Sequence, residues 1–165
     1  MNVLKKLITL ENVSELLKAI DGEYFTPSNG VYRRMGVNGL DNLSKYETLK
    51  YWRFSSPLRG VFKTHIPAVI REESNESWFL RFPEGGTLDQ YRSRKRLFNI
   101  LSIPLNDGGN FRVWDGGGPV DYKNVAGDGY FFNLGDFHQV VNTNQEDVYL
   151  CFILLNHIDD SFIVK

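Results

Sequence analysis

The sequence predicts a mainly β protein: a double-stranded β-helix of the jelly-roll or cupin-like type, with N-terminal helices packed outside it. Three observations favour this fold. From about His65 onward, short apolar segments alternate with turn residues, as in sandwiches and barrels. Aromatic residues, which favour strands and pocket walls, make up 14% of the chain. The 15 glycines suit a fold with many tight turns.

The length and composition predict one domain over residues 1–165. Residues 1–64 are expected to form a helical and loop extension, and residues 65–157 the β core. The net charge of −1, from 19 basic and 20 acidic residues, gives no electrostatic case for binding nucleic acid or a membrane surface. Residues 1–7 do not resemble a signal peptide, and no apolar run approaches transmembrane length, so we expect a cytoplasmic protein.

Helical spacing predicts two helices in the N-terminal part. The first covers residues 12–20 with Asn12 as its N-cap, and the second covers residues 40–52, with a loop at 24–39 between them. Strands are predicted at residues 67–71, 78–82, 96–105, 110–114, 130–133, 138–142 and 148–156. Turns are predicted at residues 74–76 and 106–109, and a glycine break at 116–118.

Few residues in the sequence suggest chemistry on their own. There is no phosphate-binding loop and no nucleophile elbow. The imidazole candidates are His65, His138 and His157, and an isolated histidine is usually structural. Cys151 is the single cysteine and lies in an apolar run, which predicts a core residue and not a nucleophile. A basic cluster follows residue 91 and is interpreted as a solvated strand end, with an anion-binding rim as the alternative: Arg92, Arg94, Lys95 and Arg96.

Two segments of the C-terminal half carry a family resemblance. Residues 77–106 read SWFLRFPEGGTLDQYRSRKRLFNILSIPLN, and residues 127–150 read GDGYFFNLGDFHQVVNTNQEDVYL. Together they resemble the 2-oxoglutarate/Fe(II) dioxygenases, in particular aspartyl/asparaginyl β-hydroxylases and prolyl hydroxylases. That family has a His-x-Asp pair in the first segment, then a distal His and an Arg in the second. The pair binds iron together with the distal His, and the Arg holds the far carboxylate of 2-oxoglutarate.

The resemblance implies an altered site in this chain. His138 matches the distal His, with Val140 and Asn142 as its matching neighbours. Tyr91 and Ser93 fall at the His-x-Asp positions, and Val148 falls at the Arg position. A neutral phenol is a poor iron(II) ligand, and valine supplies no charge for the cosubstrate.

Asp89 offers an alternative ligand, because it precedes Tyr91 by two residues and shares its face of a strand. A site from Asp89 and His138, with Tyr91 as a third ligand to ferric iron, is the metal-binding alternative. If a metal binds, His138 is the expected ligand. Further residues are candidates for lining the pocket: Asn99, Trp114, Tyr130, Phe132 and Asn142.

Three functional hypotheses follow from these residues. The first is a non-catalytic or atypical protein that binds a small molecule or peptide in the barrel. The second is an atypical iron-dependent hydroxylase or cupin-like enzyme using His138, which would need Fe(II) and 2-oxoglutarate if the family activity survives. The third is a structural jelly roll, since fold does not fix function. The interior can also be closed by its own side chains.

Overall fold

The computed structural model describes residues 2–27, 45–91, 98–114 and 116–156, except for the side chains of residues 89–91. Its elements run in the following order: β1 (Asn2–Leu4), α1 (Leu10–Ile20), β2 (Thr26–Pro27), β3 (Glu47–Lys50), a 3-10 turn (Tyr51–Arg53), α2 (Ser56–His65), α3 (Ala68–Glu73), β4 (Ser74–Phe82), β5 (Thr87–Tyr91), β6 (Asn99–Pro104), β7 (Asn110–Trp114), β8 (Pro119–Lys123), β9 (Gly129–Asn133), β10 (Phe137–Val141) and β11 (Val148–Leu155). None of the helices in these ranges has the length and hydropathy needed to cross a membrane.

The described strands form two antiparallel sheets. One has seven strands in the order β1-β9-β6-β11-β4-β3-β2, and the other has four in the order β5-β10-β7-β8. The sheets face each other, because one buried cluster draws side chains from both. We call it the interior cluster, and its members are Leu80, Phe82, Leu88, Ile100, Phe111, Val113, Tyr130, Phe132, Val140, Val148, Leu150 and Phe152. The predicted jelly-roll fold is confirmed.

The helices cover the outer face of the seven-stranded sheet. Helix α1 presents Val13, Leu16 and Ile20 at helical spacing, and these side chains join a second buried cluster with residues of β4, β6 and β11, which we call the helix-facing cluster. The predicted packing of N-terminal helices outside the barrel is therefore confirmed. The cap of α1 differs from the expectation, because the Thr9 side chain accepts a hydrogen bond from the Asn12 backbone N–H at 3.1 Å. Thr9 is the N-cap, so the helix begins at Leu10.

The predicted helix over residues 40–52 is wrong where the structure describes it. Residues 47–50 form strand β3, which pairs with β4. The helical spacing wrongly indicated one shared face, because Tyr46 packs against the interior cluster while Leu49 is buried in the helix-facing cluster. These two side chains therefore lie on opposite faces of the sheet. Residues 40–44 of the predicted helix lie outside the described ranges.

The predicted strand at residues 67–71 is also wrong. Residues 68–73 form helix α3, because Pro67 stands at its N-cap and Ile70 alone of its residues is buried. The predicted turn at 74–76 is instead the start of β4, where Ser74 pairs with Leu155 and Glu76 with Leu154. Strands β1, β2 and β8 were not predicted, β3 replaces part of the predicted helix, and β5 was expected only from the face that Asp89 and Tyr91 share. Strands β1 and β3 also add to the seven-stranded sheet, while the division of the chain at residue 64 stays a prediction.

Candidate binding site inside the barrel

His138 lies on β10 and its side chain points between the sheets. Along β10 the buried residues are His138 and Val140, which alternate with partly exposed neighbours. Val140 belongs to the interior cluster, so His138 faces the same way. Its ring centre lies 4.9 Å from that of Phe132, and its exposed fraction is 2%. The interior therefore contains one buried imidazole next to an aromatic ring.

The hydrogen bond of His138 fixes its tautomer. Nδ1 lies 3.0 Å from the carbonyl oxygen of Asp136, and a carbonyl can only accept, so Nδ1 carries the proton and Nε2 is the acceptor atom. Burial lowers the pKa of His138 to about 4, although the Asp136 carbonyl partly raises it. The imidazole is therefore neutral at pH 7.

Tyr91, at the first of the two positions that match His-x-Asp, lies on the strand next to that of His138. Strand β5 pairs with β10, and the Cα atom of Tyr91 is the direct partner of that of His138. Asp89 lies two residues earlier on β5. The side chains of Asp89 and Tyr91, and all of Ser93, lie outside what the structure describes. The register thus brings Tyr91 to His138 without defining a ligand set.

Val148, at the position that matches the cosubstrate Arg, begins β11 and is buried in the interior cluster. Its direct partner on β4 is Phe82, which belongs to the same cluster. The surroundings of Val148 are therefore apolar on the side of the seven-stranded sheet. A guanidinium at this position would have to enter a packed hydrocarbon environment.

Three buried polar side chains that face the interior are neutral. Ser102 alternates with Ile100 on β6 and is 1% exposed. Asn124 follows β8, two residues beyond Tyr122, which packs against the interior cluster. The buried carboxylate of Asp128 instead accepts hydrogen bonds from the Lys6 backbone and the Lys5 side chain. His138, Ser102 and Asn124 therefore give the interior three uncharged hydrogen-bonding groups.

Asn124 is unusual because both atoms of its carboxamide are buried without a hydrogen-bond partner among the described residues. A buried polar group left unpaired costs about 1–3 kcal/mol, so native structures normally supply a partner. Sequence analysis missed Asn124 because β8 is mostly exposed and was not predicted. The alternation from Tyr122 to Asn124 is the signal that identifies it once the strand is known.

Three residues predicted to line the pocket lie elsewhere: Trp114, Asn99 and Asn142. Trp114 alternates with the inward Val113 on β7, and the Arg112 guanidinium lies 5.9 Å from its ring, so Trp114 faces away from the interior. Asn99 alternates with the inward Ile100 and accepts a hydrogen bond from Asn133 at 3.4 Å on the helix-facing side.

Asn142 ties the turns at the end of the barrel together. Its Nδ2 lies 2.8, 3.1 and 2.9 Å from the carbonyl oxygens of Phe82, Pro83 and Glu146. Its Oδ1 accepts a hydrogen bond from the Asn144 backbone N–H at 2.8 Å. The side chain of Asn142 is thus engaged by backbone groups and leaves no free polar atom for a ligand.

Tyr130 and Phe132 do belong to the interior. The Tyr130 hydroxyl donates to the Lys123 carbonyl at 2.8 Å. Burial raises the pKa of Tyr130, and the negative charges of Asp128 and Asp107 raise it further.

The other singled-out residues lie away from this interior or outside the described ranges. His65 is the last residue of helix α2, which lies outside the barrel. Cys151 is fully buried in the helix-facing cluster, and burial raises the pKa of its thiol. His157 and the basic cluster of residues 92–96 lie outside the described part of the chain.

Comparison with solved structures shows which fold this is. The chain is similar to the non-heme α-ketoglutarate-dependent epimerase SnoN from nogalamycin biosynthesis, with a TM-score of 0.68 and 11% identity over 93% of this chain and 75% of that one. It is similar to a prolyl-4-hydroxylase from Pseudomonas putida, with a TM-score of 0.63 and 17% identity over 94% and 92%. HygX from Streptomyces hygroscopicus, solved with nickel and 2-oxoglutarate bound, gives a TM-score of 0.67 and 11% identity over 94% and 82%.

These similarities define the fold as that of the 2-oxoglutarate/Fe(II)-dependent oxygenases. The resemblance found in the sequence is therefore confirmed at the level of fold. No protein-family model matches the sequence, and neither does any curated protein.

Of the positions that match the iron ligands, the structure describes the side chain of His138 alone. Within the described ranges, no group of three His, Cys, Asp or Glu side chains is placed to hold a metal ion. His138 supplies one neutral nitrogen, whereas an iron(II) site in such a fold needs two imidazoles and a carboxylate, or two imidazoles.

Proposed function

We propose that the protein is a non-catalytic relative of the oxygenases by fold, and that it binds an uncharged small molecule or an uncharged peptide side chain between its two sheets. The observation that carries this proposal is Val148. It is buried in an apolar cluster at the position where the resemblance expects a cosubstrate-binding Arg.

Electrostatics explains why 2-oxoglutarate is not the expected ligand. A charge-assisted hydrogen bond contributes about 1.5–3 kcal/mol net, so its loss weakens binding by roughly ten- to a hundred-fold. The far carboxylate would also lose its hydration without a counter-charge from the buried groups His138, Ser102 and Asn124. His138, Ser102 and Asn124 are all neutral and favour an uncharged ligand with an apolar body.

An atypical iron-dependent hydroxylase is the second candidate, and one observation favours it. The Nδ1–H of His138 donates to the Asp136 carbonyl, which is the support that metal-ligating histidines commonly have. With Tyr91 opposite His138 and Asp89 on the same strand, these three residues would hold the metal. Fe(II) and 2-oxoglutarate would then be the cofactors, as SnoN has been solved with Fe3+ and α-ketoglutarate.

A gain-of-function variant tests the proposal. The triple change Tyr91→His, Ser93→Asp and Val148→Arg restores the positions of the resemblance, and we expect it to bind 2-oxoglutarate in an iron-dependent manner. The wild type and the single variants should show no such binding, because ligands and counter-charge are needed together. The double variant that retains Val148 is the matched control and should bind metal without the cosubstrate.

Two results would contradict the proposal, and calorimetry separates them. Iron-dependent binding of 2-oxoglutarate by the wild type would favour the hydroxylase. A triple variant that folds, shown by circular dichroism, and yet binds neither metal nor 2-oxoglutarate would mean that the register of the resemblance is wrong.

A further inference from the structure

The position of Asn124 follows from the pairing of β7 with β8. Phe111 is the direct partner of Tyr122, and both point into the interior. The pairing continues by one step, because the Asn124 N–H donates to the Gly109 carbonyl at 3.4 Å and the Gly108 N–H donates to the Asn124 carbonyl at 3.2 Å. Residues two apart on a strand share a face, so Asn124 points into the interior beyond Tyr122.

Glycine at position 109 leaves room for this carboxamide beside Val148. A Cβ atom on Gly109 would lie 3.2 Å from Asn124 Nδ2 and 3.6 Å from Val148 Cγ1. The side chains of Asn124 and Val148 therefore both lie next to Gly109. Asn124, which the resemblance does not predict, thus lies near Val148, which stands where the resemblance expects an Arg.

The carboxamide of Asn124 is an uncharged donor and acceptor inside the barrel. Its amide atoms have no partner among the described residues, and the residue is 2% exposed. The adjacent Tyr130 hydroxyl, bonded to Lys123, experiences the negative charges of Asp107 and Asp128. A buried carboxylate would have no counter-charge from the Asn124 side chain, while an amide can donate to Oδ1 and accept from Nδ2.

We propose that the carboxamide of Asn124 is the recognition group of a ligand site beside Val148, and that it takes an uncharged carboxamide in place of a carboxylate. The inference rests on the proposed function and names the ligand chemistry for the same interior. Asn124 would discriminate between neutral and anionic ligands through its two unpaired atoms.

A matched pair of probes tests the inference by isothermal titration. Glutaramide and glutarate share a carbon skeleton and differ only in their terminal groups. The wild type should bind glutaramide at least tenfold more tightly than glutarate. Asn124→Leu should lower the glutaramide affinity at least tenfold, while raising the melting temperature of the free protein because the unpaired amide is gone. Asn124→Ala is the second variant if the leucine variant does not fold.

The control variant is Asn99→Leu, which removes a buried carboxamide on the helix-facing side and should leave glutaramide affinity unchanged. Glutaramide binding that survives Asn124→Leu would overturn the role of Asn124 while leaving the proposed function intact. A preference for glutarate would contradict both. Absence of binding of either probe to the wild type, or a crystal grown with glutaramide that shows only water at the amide, would overturn the inference alone.

Discussion

Asn142 should make one of the largest side-chain contributions to stability in this protein. Its side chain is buried and connects the turn after β4 to the turn between β10 and β11 through the hydrogen bonds to Phe82, Pro83, Glu146 and Asn144. Replacing it with alanine removes every one of these bonds. The bond to Phe82 is buried, so water cannot readily replace it.

The magnitude follows from the geometry. The amide nitrogen has two hydrogens, so it serves two of the three carbonyl groups at a time, and Oδ1 adds a third bond. At about 1 kcal/mol net for each bond, Asn142→Ala should lower the free energy of unfolding by about 3 kcal/mol. For a domain of this size that corresponds to a melting temperature lower by about 6–12 °C.

Urea denaturation and thermal melting, both followed by circular dichroism, measure this loss. The control is Asn144→Ala, whose side chain makes one exposed hydrogen bond to the Asp107 carbonyl at 3.3 Å. It should change the free energy of unfolding by less than about 0.5 kcal/mol. A loss below about 1 kcal/mol for Asn142→Ala would refute the role of this side chain in joining the turns.

Three further predictions concern the buried groups. Burial lowers the pKa of His138 from 6.5 to about 4 on folding, so as the pH falls the unfolded chain takes up this proton before the folded protein does. The free energy of unfolding should therefore decrease by on the order of 3 kcal/mol as the pH falls from 6.5 to 4. Urea denaturation of His138→Gln over the same pH range should show a smaller decrease. Cys151 should react with a thiol reagent only as the protein unfolds, because it is inaccessible and burial raises its pKa; rapid labelling of the native state would contradict this. Val148→Arg alone should cost about 3–5 kcal/mol in urea denaturation, because it buries an unpaired charge, and a neutral effect would mean that the side chain reaches solvent.

The β core could be predicted from the sequence because its local patterns agree with its tertiary environment. Residues 110–114 alternate between buried and partly exposed positions in the structure, as their sequence pattern indicates. The apolar run at residues 148–155 forms the strand β11, which is paired on both sides within the large sheet. In these segments, burial on one or both faces decides the residue types.

The N-terminal part could not be predicted as well, because tertiary contacts override its local spacing. Residues 47–50 become a strand only because β4 offers a free edge. Residues 68–73 contain a β-branched pair, yet only Ile70 meets the helix-facing cluster and Val69 stays 40% exposed. Neither outcome follows from propensity alone.

The candidate site could be predicted only in part. The resemblance identified His138 and Tyr91, and the register of β5 and β10 places their Cα atoms opposite each other. It could not identify Asn124, because that residue matters through a strand pairing and a glycine that the motif does not contain. Trp114 and Asn99 were misassigned because the face of a strand residue depends on the exact register.

The most direct test of the central claim is calorimetric titration of 2-oxoglutarate into the wild-type protein, without oxygen and with saturating Fe(II). Because the buried interior groups are neutral and Val148 lies in the apolar cluster, we expect no saturable heat at millimolar 2-oxoglutarate, with or without the metal. Saturable, iron-dependent binding with one site per chain would contradict it.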